Sequence, residues 1–201
     1  KLNYCEYKPN KINGKIPLVL FLHGAGERGD NNESQLKNAI LKVVNKNSNS
    51  QFNNSLVVAP QCPNQPTQWV QTPWSNGNYS LANVNESEPL YLASELIKQY
   101  RSLDFVDTNR VYVVGLSMGG FGTWDLISRH QELFTAAVPI CGGGPTDKID
   151  VLKDFPIYTF HGTNDSTVPY AGTNEMVSLI KEQGGKNIHF VSFTGDGHGI
   201  W

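Results

Sequence analysis

Gly115-Leu116-Ser117-Met118-Gly119 constrains this chain more than any other stretch. It fits G-x-S-x-G, in which a serine stands on a sharp turn between a strand and a helix. The flanks agree with that setting. Arg110 to Val114 is a short β-branched and aromatic run of strand type, and Gly120 to His130 reads as a helix. A side chain at position 115 or 119 would collide with the neighbouring strand or helix, so glycine is required there. The plain alternative is a serine in an ordinary glycine turn, and the rest of the chain must decide between the two.

The pattern around the motif is an alternation. Pro17 to Leu22 is a continuous apolar run, as a strand covered on both faces should be. Leu56 to Ala59, Val111 to Val114, Ala136 to Ile140, Ile157 to Phe160 and Ile188 to Phe193 follow in the same style. Between them lie helical spacings: Ser34 to Lys46 with Leu36, Ile40, Val43 and Val44; Pro89 to Arg101 with Leu92, Leu96, Ile97 and Tyr100; Thr173 to Gln183 with Met176, Val177 and Ile180. Strands alternating with helices imply an α/β fold, a mostly parallel central sheet with helices on both faces. No repeat, linker or second domain is visible, so residues 1–201 are expected to form a single domain. Residues 62–86 stand apart, rich in Pro, Asn, Gln and Ser, with Trp69, Trp74 and Tyr79. A long loop in a compact domain is more often functional than not.

Composition removes several classes of function. With 39% hydrophobic and 17% charged residues and a net charge of -2, the chain gives no electrostatic case for nucleic acid or an anionic membrane. No apolar run approaches the ~20 residues that span a bilayer. Cys5, Cys62 and Cys141 form neither a disulfide framework nor a zinc pattern, and at most one bridge. The sequons at Asn32, Asn53, Asn78, Asn85 and Asn164 carry little weight in an Asn-rich chain. The chain begins at Lys1 and not at methionine, which suggests a processed protein or an excised domain.

In an open α/β sheet, ligands bind at the carboxyl ends of the strands. The residues just after each strand are therefore the informative ones: His23-Gly24-Ala25-Gly26, Pro60-Gln61-Cys62, the Ser117 turn, Cys141-Gly142-Gly143-Gly144, His161-Gly162-Thr163-Asn164-Asp165 and Gly195-Asp196-Gly197-His198. A serine, an acid and a histidine converge on one edge in the chain order Ser, Asp, His. A serine hydroxyl is a poor nucleophile until a base takes its proton. His198 can be that base and Asp165 its orienting carboxylate. The oxyanion needs two donors, expected from the Met118 N–H and, in the His23 loop, the Ala25 N–H. Neither metal nor cofactor is called for.

Other residues fit less well. His23 shapes its loop, His161 is structural, His130 closes a helix, His189 begins a strand, and Asp196 is too near His198 in sequence to orient its ring easily. Gly24-Ala25-Gly26-Glu27-Arg28-Gly29 formally fits G-x-G-x-x-G, but the next strand ends in Val58-Ala59-Pro60-Gln61 without the carboxylate that binds a ribose. Cys141-Gly142-Gly143-Gly144-Pro145 lacks the Lys-Ser/Thr of a phosphate loop.

The blocks PLVLFLHGAGERGD, VVAPQCP, RVYVVGLSMGGFGTWDL, AAVPICGGG, FHGTNDSTVP and GDGHGIW resemble the α/β-hydrolase superfamily along almost the whole chain. Within it they look most like the secreted esterases around carbohydrate esterase family 1, feruloyl and acetylxylan esterases, and like related bacterial esterases once described as predicted peptidases. The resemblance implies an α/β-hydrolase fold, an extracellular location, and Ser117, Asp165 and His198 as nucleophile, acid and base. It also implies a final helix beyond the histidine, which this sequence does not contain.

Together these features predict a carboxylic ester hydrolase that works through an acyl-enzyme, with short-acyl or hydroxycinnamoyl esters of plant polysaccharide as substrates. Trp69 and Trp74 are expected to flank the acyl or alcohol group, against the alternative of plain loop packing; Tyr170 and Trp201 are weaker candidates. A serine peptidase, or a binding module on the same fold, are the rival readings.

Overall fold

The computed structural model describes residues 1–38, 41 and 54–201. Seven strands form one sheet: β1 (Asn3–Tyr7), β2 (Ile16–Leu22), β3 (Leu56–Gln61), β4 (Val106–Leu116), β5 (Ala136–Ile140), β6 (Ile157–Gly162) and β7 (Ile188–Phe193), in the spatial order β1-β3-β2-β4-β5-β6-β7. Only the β1–β3 pair is antiparallel. The six strands expected from sequence are all present. β1 is an addition. Its burial alternates along a polar edge, NYCEY, which offers no apolar run to betray it.

The described helices are α1 (Glu88–Arg101), α2 (Met118–Arg129), α3 (Ile149–Leu152) and α4 (Tyr170–Glu182). α1 starts where its sequence says it should. Ser87 accepts the Leu90 N–H at 3.3 Å, and Pro89 occupies the first turn. Lys98 and Arg101 sit in the last turn, where cations favour the helix dipole.

Period-two alternation divides the sheet's side chains between two clusters. Leu18, Leu20, Leu22, Leu56, Val58, Val111, Val113 and Ile157 face the helices, meeting Leu90 and Ile97 of α1, Trp124 and Ile127 of α2, and Met176 and Ile180 of α4. Val19, Phe21, Val57 and Ala59 face the other way and meet Leu41. The helices α1–α4 thus cover one face. The stretch expected to be helical over 34–46 is described as a 3-10 turn at Ser34–Lys37 and at Leu41. Residues 39, 40 and 42–46, with Ile40, Val43 and Val44, lie outside the described residues, as does Asn53. Among the described residues no helix is long and apolar enough to cross a membrane. Cys5, Cys62 and Cys141 are all free thiols.

The strand order places the site. The chain leaves β2 for β3 on one side and returns to β4 on the other, so a crevice opens above the carboxyl ends of β2 and β4. The His23 loop follows β2 and Ser117 follows β4.

Candidate active site

Ser117 occupies a backbone conformation that few side chains adopt, φ 54° and ψ -120°. β4 ends at Leu116 and α2 begins at Met118, so the turn between them is a single residue. The Ser117 N–H donates to the Ile140 carbonyl at 2.8 Å and its own carbonyl accepts the Phe121 N–H at 3.2 Å. A Cβ on Gly115 would strike the Gly119 carbonyl, and one on Gly119 would strike the Leu22 carbonyl. The glycines are there because helix and strands close to backbone contact around the serine.

His198 and Asp165 reach the same point from the ends of β7 and β6. His198 Nε2 lies 2.7 Å from Ser117 Oγ, and His198 Nδ1 lies 2.6 Å from Asp165 Oδ2. A carboxylate only accepts, so the Nδ1 proton is donated to Asp165 and Nε2 is left to accept the serine hydroxyl. Asp165 Oδ1 accepts the N–H groups of Thr167 and Val168, each at 2.9 Å. Burial would raise the Asp165 carboxyl, but the hydrogen bonds from His198, Val168 and Thr167 outweigh it and hold it below the ordinary carboxylate value. The carboxylate that meets His198 is that of Asp165; Asp196 instead offers its backbone carbonyl to the Asn164 N–H at 2.9 Å.

The two expected oxyanion donors occupy equivalent positions. Ala25 opens a 3-10 turn, Ala25–Glu27, and Met118 opens α2. The first amides of a helix have no acceptor within it and point outward. A Cβ built on Gly24 would lie 3.7 Å from Ser117 Cβ, so the loop runs close beside the serine. His23 anchors the loop from below. The Cys62 N–H donates to His23 Nε2 at 2.9 Å, which leaves the ring proton on Nδ1, donated to the Gly24 carbonyl at 2.6 Å. Burial pulls the His23 pKa down to about 4.

Trp69 requires a correction. It is fully buried, its Nε1–H donates to the His23 carbonyl at 3.0 Å, and a Cβ on Gly122 would lie 2.9 Å from Trp69 Cβ. It packs between α2 and the oxyanion loop and has no surface for a substrate. The sequence signal, an aromatic in a polar loop, does not distinguish a wall from an anchor. Trp74 is half-buried, with the Arg28 guanidinium carbon 5.9 Å from its ring. Trp201 meets His198 directly, its ring standing perpendicular to the imidazole at 5.0 Å between centroids. Tyr170 lies edge-on to His161 at 5.8 Å.

The 62–86 loop is pinned to α2. Tyr79 Oη donates to Asp125 Oδ2 at 2.8 Å, Arg129 Nε donates to Asp125 Oδ1 at 2.6 Å, and Arg129 Nη2 donates to the Val84 carbonyl at 2.6 Å. His130 lies 2.7 Å from Glu86, and His189 stacks on Tyr158, so both are occupied away from the serine. The glycine run after β2 leads into a one-turn 3-10 segment and not into a helix that could hold a pyrophosphate, and Gln61 at the end of β3 bonds the Glu27 carbonyl at 3.0 Å. The sequence alone does not point to Arg28 or to the contact of His161 with Asp165; no local pattern marks the first, and the second is signalled only by a histidine four residues before the acid.

The chain is similar to several known proteins. The model of the dienelactone hydrolase family matches residues 80–201. The chain is 23% identical over 177 residues to a bifunctional acetylxylan esterase/xylanase of Neocallimastix patriciarum, covering 88% of this chain and 23% of that protein. It is 25% identical over 198 residues to acyl-protein thioesterase 1 of Candida albicans, covering 90% of this chain and 84% of that protein. Among solved structures, a thermostable esterase superimposes with a TM-score of 0.77 at 34% identity, over 95% of this chain and 50% of that one. The chain therefore spans about a quarter of the bifunctional enzyme and half of the thermostable esterase. With the serine turn, the sheet order and the family match in agreement, the chain has the α/β-hydrolase fold and belongs to the dienelactone hydrolase family.

Proposed function

We propose that this chain is a serine carboxylesterase that acts outside the cell on short-acyl or hydroxycinnamoyl esters of plant polysaccharide. The observation that carries the reading is the unbroken line Asp165–His198–Ser117, with contacts of 2.6 and 2.7 Å. Ser117 Oγ attacks the ester carbonyl while its proton passes to His198 Nε2. The carbonyl electron pair moves onto oxygen, which the Ala25 and Met118 N–H groups receive. Collapse breaks the bond to the alcohol, which leaves with the proton held on His198. Water then repeats the sequence on the acyl-enzyme and frees Ser117.

The substrate class rests on weaker support. The relative of Neocallimastix patriciarum is named for acetylxylan esterase activity. Trp201, 37% exposed and edge-on to His198, offers a face against which an aromatic acyl group can lie. A panel of aryl acetates, butyrates, long-chain esters, a thioester, feruloyl sugars and unactivated peptides tests this reading. The expected result is highest kcat/KM on acetyl or feruloyl esters, with a transient acyl adduct on Ser117 seen by mass. Preference for acyl chains longer than about eight carbons, or peptide cleavage with poor ester turnover, would overturn it.

A further inference from the structure

The acid of the site touches a second histidine. His161, at the end of β6, is fully buried, and its Nε2 lies 3.1 Å from Asp165 Oδ2, the same oxygen that accepts the His198 Nδ1–H. His161 Nε2 also lies 3.0 Å from the Val168 carbonyl. Both neighbours of Nε2 are acceptors, so Nε2 carries a proton. On the opposite side of the ring, Nδ1 lies 2.7 Å from Thr173 Oγ1 of α4, and Thr173 Oγ1 lies 2.7 Å from the Gly142 carbonyl. The ring is thus clamped between α4 and the acid, with its N–H aimed at Asp165.

We propose that His161 is a positioning residue for ester hydrolysis: its Nε2–H fixes the Asp165 carboxylate in the orientation that meets His198 and takes up part of the electron density of Oδ2. This inference rests on the serine-hydrolase reading above. Two consequences follow from sharing one oxygen. Oδ2 cannot swing away from His198 while His161 holds it. Oδ2 also divides its electron density between two N–H donors, so it offers less of it to the His198 Nδ1–H than an unshared carboxylate would.

Among the described residues, the groups that face Asp165 come from three strand ends and one turn. His198 comes from the loop after β7, His161 from β6 and the Cys141 thiol from the end of β5, while the Thr167 and Val168 amides complete the shell. Burial, with the Asp165 charge beyond it, pushes the Cys141 thiol up to about 12, so it stays protonated near neutral pH. Burial likewise holds His161 below the ordinary imidazole value, against the opposing pull of Val168 and Asp165.

Two substitutions separate positioning from mere packing. Asn at position 161 puts an amide where Nδ1 sits and keeps the Thr173 contact; Gln puts one where Nε2 sits and keeps the Asp165 contact. His161→Asn should lower kcat on an aryl acetate about tenfold to a hundredfold with KM little changed. It should also move the acid limb of the kcat/KM profile up by about half a unit to one unit, the worth of one hydrogen bond. His161→Gln should return the limb to the wild-type position and restore most of kcat. Equal losses in both variants with an unmoved limb, or wild-type kcat and limb in His161→Asn, would overturn the proposal. Ser117→Ala in the same series keeps the two claims apart. If it stays active, the serine reading itself fails; if it is inactive while His161→Asn matches wild type, only the role of His161 fails.

Discussion

Arg28 holds Ala25 by its carbonyl: the guanidinium Nε donates to Ala25 O at 3.0 Å. The same side chain donates from Nη1 to the Thr67 carbonyl at 3.2 Å and lies over Trp74. Ala25, whose N–H is the expected oxyanion donor, is thereby tied through the peptide on its C-terminal side to the 62–86 loop. Arg28→Ala frees that peptide without deleting the donor. Ester kcat should fall about tenfold to a hundredfold, toward the low end of the loss of a whole oxyanion donor. Arg28→Lys should recover little, because a lysine cannot reproduce two fixed N–H directions. Steady-state kinetics on an aryl acetate checks this, and unchanged kcat in Arg28→Ala would show that the loop holds itself.

The choice of acid is tested by a pair. Asp165→Asn presents an amide to His198 Nδ1 and favours the wrong tautomer, so kcat should fall by about 10⁴ with the fold intact. Asp196→Asn should stay near wild type, since Asp196 engages the Asp165 segment through its backbone carbonyl. A reversal of the two results would move the acid to Asp196.

His23 gives the protein a pH-dependent stability of defined sign. Its folded pKa of about 4 lies below the ordinary imidazole value of 6.5, so between these the unfolded chain binds more protons. Stability from this group is fully present above about pH 6.5 and is lost as pH falls toward 4, by about 3 kcal/mol in all. Melting temperature should decline through that window in wild type and decline less in His23→Asn. Parallel curves would remove His23 as the cause.

The two tryptophans should separate stability from selectivity. Trp69→Ala empties a core site and breaks a bond to the oxyanion loop, and should cost about 3–5 kcal/mol in urea unfolding. Trp201→Ala should leave stability nearly unchanged and lower turnover of feruloyl esters relative to acetyl esters by up to about tenfold. Equal losses on both ester classes would mean that the ring at His198 does not contact the acyl group.

These contrasts show what the sequence could carry. The Ser117 turn is legible because tight backbone contact admits only glycine at 115 and 119, and that demand is local. Ser117, Asp165 and His198 are legible together because each follows a strand of β-branched and aromatic type, and parallel strands put such residues on one edge. The place of Trp69 is not legible because exposure is a tertiary property: the same residue type in the same loop faces the core at 69 and is half-buried at 74. The contact of His161 with Asp165 depends on the path of the chain over Gly162 to Asp165, which no spacing rule encodes. β1 is not legible because an alternating polar edge strand has too few apolar residues to stand out from a loop.

The most direct test of the account is the reaction of Ser117 itself. A serine-directed aryl phosphonate should add one equivalent to the wild-type protein, located at Ser117 by peptide mass, with ester hydrolysis lost in step. Ser117→Ala should take up no label and should lose activity by several orders of magnitude, about 10⁶-fold by analogy with other serine hydrolases, while keeping its melting temperature. Labelling at another serine, or ester turnover that survives in Ser117→Ala, would contradict the assignment of Ser117 as the nucleophile.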